Sequence, residues 1–324
     1  MAFTINTRQS IGCLLLLLTN QLLAAPVGLN TRDQNPMFQA YYLPSINLVS
    51  EQGWQVSHTA YVTNAFQNNQ EGNETLMLDV ENYRYDFSLA YQHNNWRLGT
   101  TVPLIFNEGG ILDDAIEDWH DFFGLPQGGR TSQPHNQVNI DYSRNGQTFF
   151  KQSTASNDIG DIAVSLSYSF TNTAAGSGDI SFAIDLPTGS IANSSGNEAI
   201  DAAIWLTQSH TLANQSSLYG LFGFSFLGKG GQLESLQNST VWVGQLGLDY
   251  PLYPGWTAIL QLDAHSAIIR GSELRALGNS YQVQIGLRLN QLIENHDVDL
   301  FFSEDILPGS APDITFGIRL YLTD

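Results

Sequence analysis

The densest group of charges that could bind an ion lies in residues 111–123, which read Ile-Leu-Asp-Asp-Ala-Ile-Glu-Asp-Trp-His-Asp-Phe-Phe. Carboxylates four residues apart on a helix, such as Asp113 and Glu117, repel one another unless something neutralises them. A divalent cation, His120 or Arg130 could neutralise them, although a solvated acidic face needs none of these. We therefore expect no cofactor, with a divalent cation at this acidic stretch as the alternative.

A second candidate for chemistry is the pair His265-Ser266, since a hydrolase needs a serine within reach of a histidine. Neighbouring residues on a strand point to opposite faces, so these two side chains cannot meet. Asp263 shares the face of His265 and could orient the imidazole, but it supplies no nucleophile. The sequence also contains no His-Glu or cysteine-based metal motif, phosphate loop or nucleotide fingerprint. It therefore leaves enzymatic activity open and favours none.

The start of the chain has the pattern of a secretory signal peptide. Arg8 supplies the positive charge and residues 11–18 the apolar core, and Pro26 hinders a later cut, so we expect cleavage after Ala24. The single cysteine, Cys13, lies inside this leader. The exported protein must therefore be held together without disulfides.

The composition is acidic but poor in charge. Twelve basic residues stand against 31 acidic ones, a formal net charge of −19, which argues against nucleic acid as a partner. Yet only 13% of residues are charged, while Gly, Phe and Tyr number 29, 17 and 13. A soluble acidic protein usually spreads many charges of both signs over its surface. The composition favours an outer-membrane barrel.

Most of the exported chain alternates with a period of two. Tyr83 and Tyr85, for example, alternate with Arg84 and Asp86. Twelve such segments between residues 54 and 324 predict an all-β fold, an antiparallel up-and-down transmembrane barrel. A soluble sandwich or propeller would alternate too, but it should carry more charge outside.

Long and short connections alternate between these twelve segments, as they do in barrels with long external loops and short periplasmic turns. The longest connection, residues 107–157, holds the acidic helix and a hairpin about Asn145-Gly146. Counting this hairpin as membrane strands would give 14 strands, but its poorly separated faces favour an external hairpin. The expected organisation is a signal peptide (1–24), an irregular segment that hangs in the periplasm or enters the lumen as a plug (25–53), and the barrel (54–324).

Charged residues on the inner faces form two groups. The basic group lies on strands that meet where the last strand joins the first, and the acidic group lies mainly on strands four to nine. Two such walls would set up a transverse field that orients polar solutes. The alternative is paired charge that fills a closed barrel, with Asp297 and Asp299 near the arginines. The candidate lumen-wall residues are Arg84, Arg97, Arg288, Arg319, Asp185, Asp201, Asp249, Asp263 and His265.

Residues 119–130, Trp-His-Asp-Phe-Phe-Gly-Leu-Pro-Gln-Gly-Gly-Arg, are similar to the signature of the domain-of-unknown-function 3187 family. Residues 32–36, Arg-Asp-Gln-Asn-Pro, and 158–161, Asp-Ile-Gly-Asp, add weaker matches, so the resemblance covers most of the exported chain. It implies an outer-membrane-like protein of a Gram-negative bacterium with no established activity. No residue role can be carried over from it.

We expect the helix of residues 112–123 to fold inward as a lid over the external mouth. A short helix is marginal alone in water, so the apolar stripe of Ile116, Trp119 and Phe123 must pack on a surface such as the barrel rim. The alternative places the stripe against lipid headgroups outside the barrel. The candidate lid and constriction residues are Asp113, Asp114, Glu117, Asp118, Trp119, His120, Asp121 and Arg130.

The sequence favours a passive channel or binding barrel for small polar solutes in the cell outer membrane. A lipid-modifying enzyme and a structural or surface-interaction barrel remain as alternatives. The expected partners are outer-membrane lipid and lipopolysaccharide, the barrel-assembly machinery and an unidentified small polar solute.

Overall fold

The computed structural model of the protein describes residues 28–47, 52–124, 127–293 and 296–323. The signal peptide predicted for residues 1–24 lies outside this part of the chain. Within the described residues, no helix has the length and apolarity needed to cross a membrane.

Twelve of the fifteen described strands form a closed antiparallel barrel, as predicted. The barrel closes where β1 pairs with β15, from Gln55 opposite Thr323 to Asn64 opposite Ile314. In chain order the strands are β1 Gly53–Glu71, β2 Glu74–His93, β3 Trp96–Glu108, β4 Asn139–Arg144, β5 Gln147–Gln152, β6 Ser156–Ile159, β7 Ile162–Thr173, β8 Gly176–Leu186, β9 Asp201–Thr211, β10 Ser217–Phe226, β11 Thr240–Tyr253, β12 Trp256–His265, β13 Ser280–Ile293, β14 His296–Asp305 and β15 Ile314–Thr323.

Each barrel strand turns polar side chains inward and apolar ones outward. On β12, Gln261 and Asp263 are 0% and 7% exposed, whereas Leu260 and Leu262 are 48% and 43% exposed. A sheet that faced water would place these leucines inside, so this arrangement needs an apolar solvent around the barrel. The barrel has a short-turn end, where for example β2 meets β3, and a long-loop end, where β3 leads into residues 109–155.

The three remaining strands lie at the long-loop end. Strands β4 and β5 form a hairpin whose turn residues, Asn145 and Gly146, have φ values of 54° and 74°, as tight hairpin turns require. Strand β4 pairs with the outer end of β2, and β6 pairs with β3 just before β7 begins. The prediction of an external hairpin instead of two further membrane strands is confirmed.

Residues 28–47, which we call the N-terminal segment, lie inside the barrel. The segment runs from Gly28 toward the long-loop end, bends at residues 35–41 and returns, so that Gly28 lies close to Ile46. Its apolar residues join a buried cluster at the long-loop end with side chains of the hairpin and of the loops after β10 and β12. Members of this cluster include Met37, Phe38, Tyr41, Ile140, Tyr142, Phe150, Leu233, Ile269 and Leu274.

Helix α1, Asp113–Phe123, forms within the long connection and ends at Gly124, whose φ of 66° is the left-handed conformation expected of a helix-ending glycine. Of the predicted apolar stripe, Trp119 and Phe123 are 57% and 54% exposed, and Ile116 is half-buried. The predicted packing of this apolar stripe on the inside of the rim is therefore wrong, for a reason given below.

Candidate functional site

The first limb of the N-terminal segment is hydrogen-bonded to inward-facing side chains of β11 and β12. Thr31 Oγ1 donates to Asp263 Oδ2 at 2.5 Å and accepts from Gln261 Nε2 at 2.9 Å. Gln245 Nε2 donates to the Thr31 carbonyl at 3.0 Å, and Leu29 N donates to Gln261 Oε1 at 3.2 Å. These bonds satisfy backbone groups that an irregular segment would otherwise bury without partners.

The bend of the segment is held by Asp33. Its Oδ2 lies 2.9 Å from His265 Nε2, and its Oδ1 accepts from Asn35 N at 2.8 Å. His265 Nδ1 contacts the Ser266 carbonyl oxygen at 2.8 Å. The imidazole is thus oriented by Asp33, while Asp263, the partner expected from the sequence, binds Thr31 instead.

The returning limb is anchored on β9 and on β11, where Ile46 N donates to Gln245 Oε1 at 2.6 Å. Asp201 Oδ2 accepts from Tyr42 N at 3.0 Å, and Gly228 N donates to Asp201 Oδ1 at 2.8 Å. Arg319 Nη2 donates to the Gly28 carbonyl at 2.6 Å. The two limbs are also joined to each other by a hydrogen bond from Ser45 to Asn30.

The predicted lumen-wall residues all face the interior, but the expected separation into a basic wall and an acidic wall does not hold. Three of the four predicted arginines pair with buried aspartates, which corresponds to the alternative of paired charge. Asp297, which was also expected near the arginines, instead accepts a hydrogen bond from the backbone amide of Gln291. The pairs are Arg84 Nε with Asp86 Oδ1 at 2.8 Å, Arg288 Nε with Asp299 Oδ1 at 2.8 Å, Arg288 Nη1 with Asp249 Oδ2 at 3.3 Å, and Arg319 Nη2 with Asp299 Oδ2.

Three inward carboxylates cluster where β7, β8 and β9 meet the long-loop end. Asp185 and Asp201 are paired in register on β8 and β9, and Asp161 precedes β7. Asp161 accepts from Gly189 N at 2.8 Å and from Asn197 N at 3.2 Å, which fastens the loop of residues 187–200. The Asp-Ile-Gly-Asp run therefore has a structural role in this fold.

Arg97, the fourth predicted arginine, lies near the short-turn end and faces a cavity of about 70 Å³. Arg32 of the N-terminal segment lines the same cavity. Sequence reasoning missed Arg32 as a site residue, although it is the first residue of the Arg-Asp-Gln-Asn-Pro run.

Glu74 fastens the hairpin to the neighbouring loop at the long-loop end. Only 1% exposed, it accepts from Arg144 Nε at 2.8 Å, from Ser272 Oγ at 3.1 Å and from Glu273 N at 2.6 Å, and Tyr142 OH also donates to it. We call Glu74 and these partners the mouth clamp. The sequence did not indicate this role, because Glu74 lies beside the turn between β1 and β2 and looks like any other acidic loop residue.

The start of helix α1 is bound to the outer face of the barrel. Asn64 Nδ2 contacts Asp113 Oδ1 at 3.4 Å, and Glu81 Oε1 accepts from Ile111 N at 2.9 Å. Asn64 and Glu81 alternate with inward-facing Thr63 and Asn82, so they point outward. The predicted inward lid is therefore wrong, because Asp113, which anchors the helix, is bound to the outer face of the barrel.

Arg130 is buried and joins two external segments. Its Nη1 lies 3.0 Å from Asp113 Oδ1, its Nη2 lies 2.6 Å from Asp313 Oδ2, and its guanidinium stacks 4.7 Å from the centre of the Phe66 ring. Burial raises the pKa of Asp313 to about 6, against the opposing effect of Arg130. Arg130 thus neutralises Asp113, one of the roles expected of it from the sequence.

The other helix carboxylates have neighbours that the sequence did not indicate. His135 contacts Asp114 at 2.9 Å and Glu117 at 3.1 Å. Desolvation lowers the pKa of His135, but these carboxylates outweigh it and raise the pKa overall. Asp121 accepts from a glutamine, Asp118 is exposed and His120 is half-buried. Within the described ranges no three His, Cys, Asp or Glu residues form a group that could hold a metal ion, and a divalent cation at this helix stays a prediction.

The closed barrel with its apolar outer face defines the class: the protein has the fold of a transmembrane β-barrel of the outer-membrane type. The model of the family described as "Protein of unknown function (DUF3187)" matches residues 10–321, and the chain belongs to that family. Comparison with curated proteins gave no match.

Solved structures share the fold. An outer membrane channel from Pseudomonas putida F1 superposes with a TM-score of 0.51 at 12% identity, over 87% of this chain and 97% of that chain. A KdgM porin in complex with disordered oligogalacturonate gives 0.44 at 8% identity, over 83% and 99%. The P. putida toluene transporter TodX gives 0.42 at 10% identity, over 90% and 93%. At these identities the likeness concerns the fold alone.

Proposed function

We propose that the protein is a gated outer-membrane barrel that binds or passes small polar solutes, held closed by the N-terminal segment and the hairpin. The observation that carries the proposal is the uneven packing of the lumen. The first limb of the segment is hydrogen-bonded to β11 and β12, whereas the cavity of about 70 Å³ lies between the segment and strands β2, β3 and β7. That cavity is the natural place for a solute.

The chemistry of the lining supports a polar solute. Ser88, Thr101, Ser165 and Ser167 present hydroxyl groups to the cavity beside Arg97. Ser88 and Thr101 bond each other, and Ser167 accepts from Ser181. An apolar solute would still leave Arg97 Nη1 and the remaining hydrogen-bonding capacity of these hydroxyls without partners, and a buried polar group without a partner costs about 1–3 kcal/mol. A solute with several hydrogen-bonding groups would satisfy them.

Passage through the barrel requires the long-loop end to open. There the buried cluster joins the segment to the hairpin, and Lys151 N of the hairpin donates to Gln232 Oε1 of the loop after β10 at 3.0 Å. The barrel strands are paired along both edges, whereas the hairpin is attached to the wall only by β4, which pairs with the outer end of β2. The hairpin, secured by Glu74 of the mouth clamp, is therefore the element that we assign as the gate.

Conductance in planar bilayers tests this assignment. We expect wild-type protein to open rarely and Glu74→Gln, which removes the buried charge of the mouth clamp, to open several times more often. Glu71→Gln is the matched control, because Glu71 is an exposed carboxylate in the same turn, and it should behave like wild type.

Heat-modifiable migration in detergent gels would show that both variants are folded. Absence of conductance in folded Glu74→Gln protein, and also in a variant whose residues 138–152 are replaced by a short Gly-Ser linker, would remove the channel from consideration.

We place the protein in the outer membrane with its long-loop end outside, as the lengths of its connections support. Lipid and lipopolysaccharide would then surround it, and the barrel-assembly machinery would insert it. A lipid-modifying activity has no support in the described residues: His265 contacts Asp33 and the Ser266 carbonyl oxygen, and the Ser266 hydroxyl accepts from a backbone amide of β11.

A further inference from the structure

We infer that the cavity between the N-terminal segment and strands β2, β3 and β7 binds a small oxyanion, a carboxylate or phosphate group, through Arg32 and Arg97. The inference deepens the proposed function, on which it rests for the idea of a solute in the lumen, by naming the chemical class of that solute.

The cavity is positive and rich in donors. Arg32 and Arg97 line it together with the amide side chains of Asn30 and Asn47 and with serine and threonine hydroxyls. Among the described residues, no Asp or Glu lines it. An anion that enters would therefore meet donors on several sides and no carboxylate.

Arg97 is under-bonded where it faces this space. Its Nη1 is buried and has no hydrogen-bond partner within the described residues, and its Nη2 makes one long contact of 3.5 Å to Ser167 Oγ. Ser167 Oγ already accepts from Ser181 Oγ at 2.7 Å. The negative charge of Asp179 acts on Arg97, although the two side chains form no ion pair among the described residues. Arg97 thus differs from Arg84, which has an aspartate at 2.8 Å.

Arg32 is also incompletely paired. Its Nε is buried and has no hydrogen-bond partner in the described part of the chain. The carboxylate oxygen Asp86 Oδ2 lies 3.8 Å from its Nη2, which is too far for a hydrogen bond. Asp86 is itself held by Arg84 at 2.8 Å. Asp86, the carboxylate within ion-pair distance of Arg32, is therefore shared between two arginines, while Asp185 acts on Arg32 from farther away.

A bound oxyanion would supply hydrogen-bond acceptors to Arg97 and Arg32 at the same time. Guanidinium groups present planar pairs of donors that match carboxylate and phosphate oxygens, and such charge-assisted bonds are roughly twice as strong as neutral ones. Water could fill the cavity and satisfy the hydrogen bonds, but it would not supply the charge-assisted bonds that an oxyanion offers to a guanidinium group.

Calorimetric titration of inorganic phosphate into the full-length protein in detergent, at constant ionic strength set by chloride, tests the inference. We expect saturable binding of one phosphate per chain. Arg97→Gln and Arg32→Gln should each weaken it at least about tenfold. Arg270→Gln, which removes an exposed arginine at the long-loop end, is the matched control and should bind like wild type.

A variant that is expected to bind phosphate more tightly separates a specific effect on the site from a loss of binding caused by misfolding. Asp179→Asn removes the carboxylate that acts on Arg97 and should tighten phosphate binding. No saturable binding to folded wild-type protein, or equal binding by wild type, Arg97→Gln and Arg270→Gln, would overturn the site. Conductance without phosphate binding would overturn this inference alone, and phosphate binding without conductance in any variant would overturn the channel alone.

Discussion

Arg130 and Glu74 each join parts of the chain that lie far apart in sequence. Arg130 connects Asp113, at the start of α1, to Asp313, in the loop before β15. Removing one partner of a buried ion pair leaves the other charge uncompensated and typically costs about 3–5 kcal/mol. Single side chains therefore decide where the long external connection lies on the barrel.

Asp313 gives this attachment a pH dependence. Its folded pKa of about 6 lies above the ordinary 3.8, so folding takes up a proton between these values. The stability that this group contributes is complete below its unfolded pKa and is lost as the pH rises through 6. We expect wild-type stability to fall relative to Asp313→Asn from about pH 4 to about pH 7.

The midpoint of heat-modified migration, measured across this range, reports the difference between the two proteins. A constant difference at every pH would show that Asp313 does not titrate as described.

At the scale of elements, helix α1 shows that an amphipathic pattern specifies a need for an apolar surface without specifying which one. The pattern of Trp119, Phe122 and Phe123 predicted the helix and its end correctly. Its position depends on Asn64 and Glu81, which lie on the outer face of β1 and β2. Because this face continues into the apolar outer surface of the barrel, we expect the aromatic stripe to meet lipid.

We expect Trp119 to contact the outer leaflet. Quenching by brominated phospholipids should reach a smaller fraction of the fluorescence in Trp119→Phe than in wild type, since an accessible fluorophore has been removed. Trp205→Phe is the opposite control, because Trp205 is buried inside the barrel at 8% exposure, and its loss should raise the quenched fraction. Equal quenching in wild type and Trp119→Phe would place the stripe away from lipid.

At the scale of the whole molecule, the barrel encloses an interior packed like that of a soluble domain. Met37 and Tyr41 of the N-terminal segment are 2% and 4% exposed, and Tyr142 of the hairpin is fully buried beside them. The wall faces lipid with its apolar side, while the segment supplies an apolar core inside. The molecule thus buries two separate apolar surfaces.

Amide hydrogen exchange should be slow in the N-terminal segment, because the segment is packed inside the barrel. The amides of Leu29, Tyr42 and Ile46 donate to buried side chains of the wall, so we expect them to exchange about as slowly as the barrel strands. Mass spectrometry of peptides covering residues 28–47 measures this, with residues 127–137 as an exposed reference. Exchange as fast as the reference would show that the segment leaves the lumen readily.

The sequence predicted what local periodicity determines and missed what depends on distant contacts. Alternation gave twelve strands, and Asn145-Gly146 gave the hairpin, because both signals lie within a few residues. The route of the N-terminal segment depends on pairs such as Asp33 with His265, which are 232 residues apart. For the same reason, inner-face positions were identified correctly, while Asp86 went unassigned and Asp299 was named only in the alternative of paired charge.

The U-shaped course of the N-terminal segment determines how the segment would respond to mechanical force. Both limbs end near the short-turn end, so tension applied at Gly28 along the barrel axis would run along the first limb and load the bonds at Gly28, Leu29 and Thr31 in shear. Bonds sheared together resist far more force than bonds that break in sequence. The segment would therefore hold against an axial pull until its bonds to the wall broke together, whereas a sideways pull at Gly28 would release them one at a time.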